Sequence, residues 1–333
     1  MSKKYKDTDY LGISAQIRAK EPRMLTQARR EQMLDARTDE DAARVLIECG
    51  YTELEPLTPA NLAASLRSHR NSVFSEIYNA SPNPSLVDVF RIKYDYHNAK
   101  AAIKAVATGQ DASRLMIDAG RVDAKKLQDC VTAGEYGALP DTLAKAIASA
   151  ADLLGATRDP QLADFELDRA YYADMLAAAD AAGSSFLSGY VRRTIDAANL
   201  RSAVRCLRMK KGADFLKRVL VDGGNVQVYT IQNVVLNNGS LVTAFGGAGL
   251  QEAAELGDAA SHGGRQTEFE RACDNAVTAY LRTCSLTPFG DSVVVAWLAA
   301  TEDEITAARI IMSGRMAGVP TASIRERLRD AYV

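Results

Sequence analysis

Three acidic side chains lie on helix faces that should be buried, and they are the residues in this sequence most able to do chemistry. Asp95, Asp196 and Glu304 are 101 and 108 residues apart, each within an amphipathic segment. On a helical wheel of about 100° per residue, Leu200 and Val204 fall within about 80° of Asp196. A carboxylate in such a place can act as a general acid or base, or it can serve as a structural anchor.

The first two acids belong to a pattern that the chain uses twice. The shared elements are an Asp-x-x-Asn pair and a glycine motif downstream: Asp95 and Asn98 with "DAGRV" at 118–122, then Asp196 and Asn199 with "DGGNV" at 222–226. The second copy carries a three-residue insertion before its glycine motif. A weaker third copy, "EITAARIIM", has Glu304 at the acid position. This self-similarity indicates an internal repeat of about 100 residues.

A lone carboxylate in an apolar interior is costly, so each acid must be paired or hydrogen-bonded. We therefore interpret five residues as buried structural anchors that fix how packed helices register: Asp95, Asn98, Asp196, Asn199 and Glu304. A catalytic carboxylate is the alternative reading of the same pattern. The repeats are predicted to span 1–110, 111–212 and 213–333, with the N-terminal helix packing against the third.

Other catalytic and ligand-binding signatures give no positive evidence. The stretch "LVTAFGGAGLQEAAE" at 241–255 has Glu252 where a dinucleotide-binding fold needs its third glycine. No Walker loop occurs, and the three histidines lack metal-ligand spacing. We predict no catalytic residue, no cofactor and no metal site.

The composition is that of an ordinary globular protein. The 333 residues are 47% hydrophobic and 25% charged, with a net charge of −2, which argues against nucleic acid as a partner. Five cysteines without a C-x-x-C pair favour a reducing cytoplasm. The N-terminus has no apolar signal region, and the longest apolar run, 293–300, is far too short to span a bilayer.

A cluster of basic residues is the strongest local charge feature. The candidate partner-docking face, called the basic face below, consists of Arg201, Arg205, Arg208, Lys210 and Lys211. A merely solvated helix face is the simpler reading, and an acidic protein partner is the next. Nucleic acid or anionic lipid is a third, although the aromatic residues that single-stranded nucleic acid prefers are absent.

Most segments have a 3.6-residue periodicity, which predicts an all-α fold. The predicted helices include 9–36, 111–119 and 320–331. Two β-branched segments, 225–236 and 240–245, instead form a candidate β-hairpin. The glycine-rich segment 237–264 is a candidate mobile part.

Taken in order, several segments resemble the C subunit of the V/A-type ATPases and ATP synthases, in the family that includes the d subunit of eukaryotic V-ATPases. They are "YLGISAQIRAKEPRML" (10–25), "DYHNAKAAIKA" (95–105), "YVRRTIDAANLRSAVR" (190–205), "LVDGGNV" (220–226) and the C-terminal stretch 286–328. Gln16, Trp297 and Ala307 depart from the residues usual in that family.

The resemblance implies a funnel-like body of three similar helical domains around a pseudo-threefold axis. It also implies a non-catalytic rotor component in the central stalk, a peripheral cytoplasmic part of a complex that moves protons or sodium ions and makes or consumes ATP. Its partners would be the D and F subunits of the central shaft and the membrane ring of proteolipid subunits. A freestanding helical scaffold, and an enzyme built on the repeated carboxylates, are the alternatives.

Overall fold

The structure is a computed structural model, and it describes residues 5–52 and 54–333. Chain contacts group into two compact units: Met1–Val87 with Ser240–Val333, and Asp88–Gly239. The described residues are helices and loops without a β-strand, which confirms the all-α prediction. The division into three repeats follows sequence similarity alone and stays a prediction, as does the pseudo-threefold arrangement.

The first unit is built around one long helix, α15. The helices of this unit are α1 (Leu11–Lys20), α2 (Gln27–Asp35), α3 (Asp39–Glu48), α4 (Pro59–Ala80), α12 (Leu241–Phe245), α13 (Gln251–Ser261), α14 (Gln266–Arg282), α15 (Asp291–Met316) and α16 (Thr321–Arg325). Helix α15 packs against α1, α2, α3, α4, α14 and α16. Because neighbours surround it, all residues from Val293 to Glu302 are buried.

The second unit contains the two Asp-x-x-Asn segments. Helix α5 (Ser85–Thr108) enters it from the first unit, and α6 (Ala124–Ala133), α7 (Asp141–Thr157), α8 (Pro160–Ala182), α9 (Ser185–Arg208), α10 (Ala213–Val219) and α11 (Val228–Leu236) complete it. Helices α8 and α9 form an antiparallel pair, joined where Gly183 (φ 73°) ends α8 and the Ser184 hydroxyl caps α9.

The predicted β-hairpin is wrong. Residues 228–236 and 241–245 form α11 and α12 instead. Ile231 and Val235, four residues apart, are buried on one face of α11, so helical packing overrides the β-propensity of the branched residues. Gly246, Gly247 and Gly249 lie in a short 3₁₀ turn that connects α12 to α13.

Three of the predicted helices also need correction. The segment 9–36 is interrupted where Pro22 sits in a 3₁₀ turn and Met24 becomes extended, so that α1 and α2 are separate. Residues 111–119 form turns, since a side chain of α5 engages their backbone, as described below. The segment 320–331 is helical only from Thr321 to Arg325.

Candidate functional site

Asp196 and Asn199 of α9 hold the loop 221–226 by its backbone. Asn199 Nδ2 donates to the Val221 carbonyl and Asn199 Oδ1 accepts from the Val221 N–H, both at 2.8 Å. Asp196 Oδ1 accepts from the Val226 N–H at 3.0 Å, and Oδ2 accepts from the N–H and side-chain amide of Asn225 at 3.0 and 2.8 Å. We call Asp196, Asn199 and this loop the second clamp.

The same arrangement occurs on α5, where Asp95, Asn98 and the loop 117–122 form the first clamp. Asn98 makes the reciprocal pair of hydrogen bonds with the backbone of Ile117, at 2.8 and 2.9 Å. Asp95 Oδ1 accepts from the Val122 N–H at 3.1 Å, and Oδ2 accepts from Arg121 Nε at 2.8 Å. The repeated sequence pattern is therefore a repeated hydrogen-bonding geometry.

The residue before the clamped valine differs chemically between the copies. Arg121 in the first clamp also reaches Asp174 of α8, with Nη2 at 2.7 Å from Oδ2, while Tyr96 donates to that carboxylate at 3.3 Å. Burial lowers the pKa of Arg121, but its hydrogen bonds to the carboxylates of Asp174 and Asp95 raise it overall. A charged bridge between α5 and α8 thus accompanies the first clamp, whereas neutral Asn225 takes the same place in the second.

Each clamp needs a glycine where its loop passes the carboxylate. A Cβ at Gly120 would overlap Asp95 Oδ1, and one at Gly224 would overlap Asp196 Oδ1. Neither glycine has a left-handed backbone, so the requirement is space for the carboxylate rather than conformational freedom. This explains why both loop motifs carry a glycine two residues before the clamped valine.

The third acid, Glu304 of α15, binds a segment from the other end of the chain. Its Oε2 accepts from the Leu25 N–H at 2.7 Å, and its Oε1 accepts from the Tyr51 hydroxyl at 2.8 Å. Leu25 lies in the extended stretch between α1 and α2. Ala307 occupies the position that asparagine has in the two clamps, so the pair of hydrogen bonds between a side-chain amide and the backbone cannot form at this position.

Aromatic and basic side chains enclose Glu304. The imidazole of His69 stacks on the Tyr51 ring with centroids 4.0 Å apart, and its Nε2 lies 3.8 Å from Glu304 Oε1. Burial lowers the pKa of His69, so the ring is neutral at physiological pH. The buried Arg30 donates from Nε to the Leu25 carbonyl at 3.2 Å, which fixes the peptide next to the one that Glu304 binds.

Burial raises the pKa of all three carboxyl groups, Asp95, Asp196 and Glu304, although their hydrogen-bond donors favour the ionised form. Burial, followed by the neighbouring Glu304, likewise raises the pKa of Tyr51 well above its usual value. Each carboxylate oxygen of the three acids accepts at least one hydrogen bond from another part of the chain. This arrangement can hold loops in place.

The basic face lies at the end of α9. Arg205, Arg208, Lys210 and Lys211 are exposed, and Arg201 is half-buried. Arg201 and Arg208 make contacts within the chain. The docking role of this set stays a prediction.

Within residues 5–52 and 54–333, no three His, Cys, Asp or Glu side chains are grouped so that they could hold a metal ion. In the same part of the chain, none of the helices combines the length and apolar character needed to cross a bilayer.

Several residues of these sites were not identified from the sequence. Arg121 was not identified because its partner Asp174 lies on another helix, and neither Leu25 nor Arg30 shows a signal that connects it with Glu304, 279 and 274 residues away. The role of Gly120 and Gly224 was detectable, since both stand at the same place in the repeated "DAGRV" and "DGGNV" motifs.

Replacing Asp196 with alanine should remove the acceptor for three N–H groups of the second clamp. We expect Asp196→Ala to lower the free energy of unfolding by about 3 kcal/mol, because the buried Val226 N–H and the two part-buried donors of Asn225 lose their acceptor. Urea denaturation measures the loss, and hydrogen exchange at Val226 shows whether the loop is released. Asp222→Ala, at an exposed aspartate of the same loop, is the control. Unchanged exchange at Val226 in Asp196→Ala would refute the clamp.

Adding a methyl group at Gly224 should push the loop off Asp196. We expect Gly224→Ala to lower the unfolding midpoint and to accelerate exchange at Val226, since its Cβ and the carboxylate cannot occupy the same space. Gly155→Ala, in the exposed face of α7 with open space around its Cβ, should be neutral or stabilising because alanine favours the helix. Equal effects of the two substitutions would contradict this account.

The raised pKa of Glu304 should make stability depend on pH. In the unfolded chain Glu304 loses its proton near the usual glutamate pKa of about 4.3, whereas in the folded state burial keeps it protonated to higher pH. The free energy of unfolding therefore falls as the pH rises from about 4.3 through the raised pKa. Glu304→Gln can still accept from Leu25 and can donate to the Tyr51 hydroxyl. We expect its free energy of unfolding, measured in urea between about pH 4 and pH 8, to fall less than that of the wild type. Glu326→Gln, at an exposed site, should follow the wild type, and parallel curves for Glu304→Gln would disprove the effect.

Comparison with known proteins places the chain in a family. The model of the ATP synthase (C/AC39) subunit family matches residues 13–327. The chain is similar to the C subunit of the V-type sodium ATPase of Enterococcus hirae, with 22% identity over 327 residues that cover 97% of this chain and 99% of the relative.

Two C subunits of A-type ATP synthases show a similar level of identity over a shorter length. The C subunit of the A-type ATP synthase of Haloquadratum walsbyi is 25% identical over 260 residues, covering 70% of this chain and 71% of the relative. Its namesake in Halobacterium salinarum is 24% identical over 257 residues, 71% of each chain. With a family match that extends over both units and both clamps, the protein belongs to the ATP synthase (C/AC39) subunit family.

Proposed function

We propose that this protein is the central-stalk C subunit of a V/A-type ion-translocating ATPase or ATP synthase. In this role it is a non-catalytic socket that couples the D–F shaft to the membrane rotor ring of proteolipid subunits. The family match across residues 13–327 is the observation that carries the proposal. The relatives that are named as C subunits, from a sodium ATPase and from ATP synthases, support it.

The clamps suit a part that must transmit torque. A coupler loses motion wherever a loop can shift against the helix beside it. In each clamp four or five hydrogen bonds tie such a loop to a helix of 24 residues, which is about 36 Å long. Since the Asp and Asn side chains of both clamps are buried, displacing a loop would leave buried polar atoms without hydrogen-bond partners, and this cost resists small displacements.

The proposal assigns no catalytic residue, no cofactor and no resident metal to this chain. The acids that sequence analysis singles out are used to hold backbone, so ATP chemistry and ion passage fall to other subunits. We place the protein on the cytoplasmic side, peripheral to the membrane, without a nucleic-acid partner.

The basic face is proposed to dock an acidic surface of the complex. Arg205, Lys210 and Lys211 extend into solvent where α9 ends, and Lys210 sits in the left-handed backbone region at φ 51°. Opposite charge on a partner would increase the association rate and orient the partner as it approaches. Its effect on the equilibrium affinity would be smaller.

Binding to the isolated shaft tests the proposed function. Mixed with the D and F subunits of its own organism, the purified chain should form a one-to-one-to-one complex in native mass spectrometry that persists in moderate salt. The purified proteolipid ring should also bind it. A double variant of the basic face, Arg205→Glu with Lys210→Glu, should slow association.

A matched variant separates local from general charge effects. Arg67→Glu with Lys145→Glu changes the net charge equally at exposed positions elsewhere and should associate as the wild type does. Wild-type protein that is folded yet binds neither shaft nor ring would overturn the rotor role and favour a freestanding helical scaffold.

A further inference from the structure

Helices α6 and α11 are equivalent parts of the two clamped repeats. Each begins two residues after its clamped valine, Val122 for α6 and Val226 for α11, and a shift of 104 residues superimposes the sequences. The clamps therefore set the start of both helices in the same way. This provides an internal comparison between two copies of one structural element.

The buried faces of the two helices match. Leu127 and Val131 of α6 are buried, and Ile231 and Val235 take the corresponding positions of α11. All four are aliphatic side chains, as packing against a helical core requires. The two helices thus meet the same internal constraint.

Their solvent faces differ in kind. In α6, Lys125 and Asp129 form an ion pair at 2.6 Å with side chains 81% and 63% exposed, as expected for a face in water. The corresponding residues of α11 are Tyr229 and Asn233, and Tyr229 is 71% exposed. Leu236, one turn further on the same stripe, is 48% exposed. We call Tyr229, Asn233 and Leu236 the α11 stripe.

The α11 stripe lies within a long uncharged part of the chain. Residues 223–251 contain no Asp, Glu, Lys, Arg or His. An anionic membrane surface selects lysine and arginine beside apolar residues, so this composition argues against lipid. An exposed aromatic side chain such as Tyr229, without charged residues around it, is typical of the centre of a protein–protein contact.

We propose that the α11 stripe docks an uncharged apolar face of the D–F shaft. This inference rests on the proposed function and identifies one of its contact surfaces. A ring of identical subunits presents the same surface to every repeat, and equivalent repeats would then meet it with similar faces. The stripe occurs on α11 and not on α6, which fits the single, non-repeating shaft.

Self-association through this stripe is the less suitable alternative. A nine-residue helix is about 14 Å long, and its face offers much less than the roughly 800 Å² per partner of a stable pair. The stripe fits better as one part of a wider interface, to which other surfaces contribute.

Copying the face of α6 onto α11 tests the inference. The triple variant Tyr229→Lys, Asn233→Asp and Leu236→Thr installs the residues of Lys125, Asp129 and Thr132 at equivalent positions. Because α6 shows that this face is compatible with the scaffold, we expect an unchanged thermal unfolding midpoint. Affinity for the D–F shaft, measured by isothermal titration calorimetry, should fall by about tenfold or more, while ring binding is retained.

The control is Lys125→Ala with Asp129→Ala on α6, which should leave shaft affinity unchanged. If the triple variant binds the shaft as tightly as the wild-type protein does, the inference is overturned and the proposed function stands. Loss of ring binding instead of shaft binding, or loss of a wild-type dimer in sedimentation velocity, would overturn the choice of partner. Wild-type protein that binds neither shaft nor ring would overturn the proposed function and, with it, this inference.

Discussion

A buried carboxylate that accepts backbone N–H groups is the interaction on which the second unit depends. Desolvating Asp95 or Asp196 is costly, so the loop opposite must supply donors at fixed positions. That requirement determines the glycine beside each carboxylate and the residues at which α6 and α11 begin. The need of one buried carboxylate for hydrogen-bond donors thereby determines the path of each clamp loop and the start of the helix that follows it.

The two clamps show which parts of this solution can vary. The Asn-to-backbone pair, the glycine and the clamped valine are shared, whereas Arg121 of the first clamp is replaced by Asn225 in the second. Either side chain satisfies the second carboxylate oxygen. Only the arginine can also bind Asp174, so the first copy gains a bridge to α8 that the second lacks.

Sequence periodicity was sufficient to place Asp95 and Asp196 on buried faces, because a helical wheel records local spacing. Periodicity could not identify hydrogen-bond partners that are distant in the sequence, as Leu25 is from Glu304. The β-hairpin prediction failed because β-branched residues in α11 signal strand locally, while Ile231 and Val235 are spaced for helical packing. Similarly, the single helix over 9–36 failed because Pro22 and the extended Met24 interrupt it, which leaves the Leu25 N–H free to donate to Glu304.

A repeated scaffold also makes its surfaces informative. When two helices have the same buried face and the same clamp, the scaffold makes the same demands on both of their exposed faces. Helix α6 carries the charged pair that water favours, and α11 does not. Exposing tyrosine and leucine brings no benefit to folding at these positions, since the α6 face satisfies the same scaffold. The difference therefore points to a requirement outside this chain, and contact with a partner is the requirement that an exposed, uncharged stripe fits best.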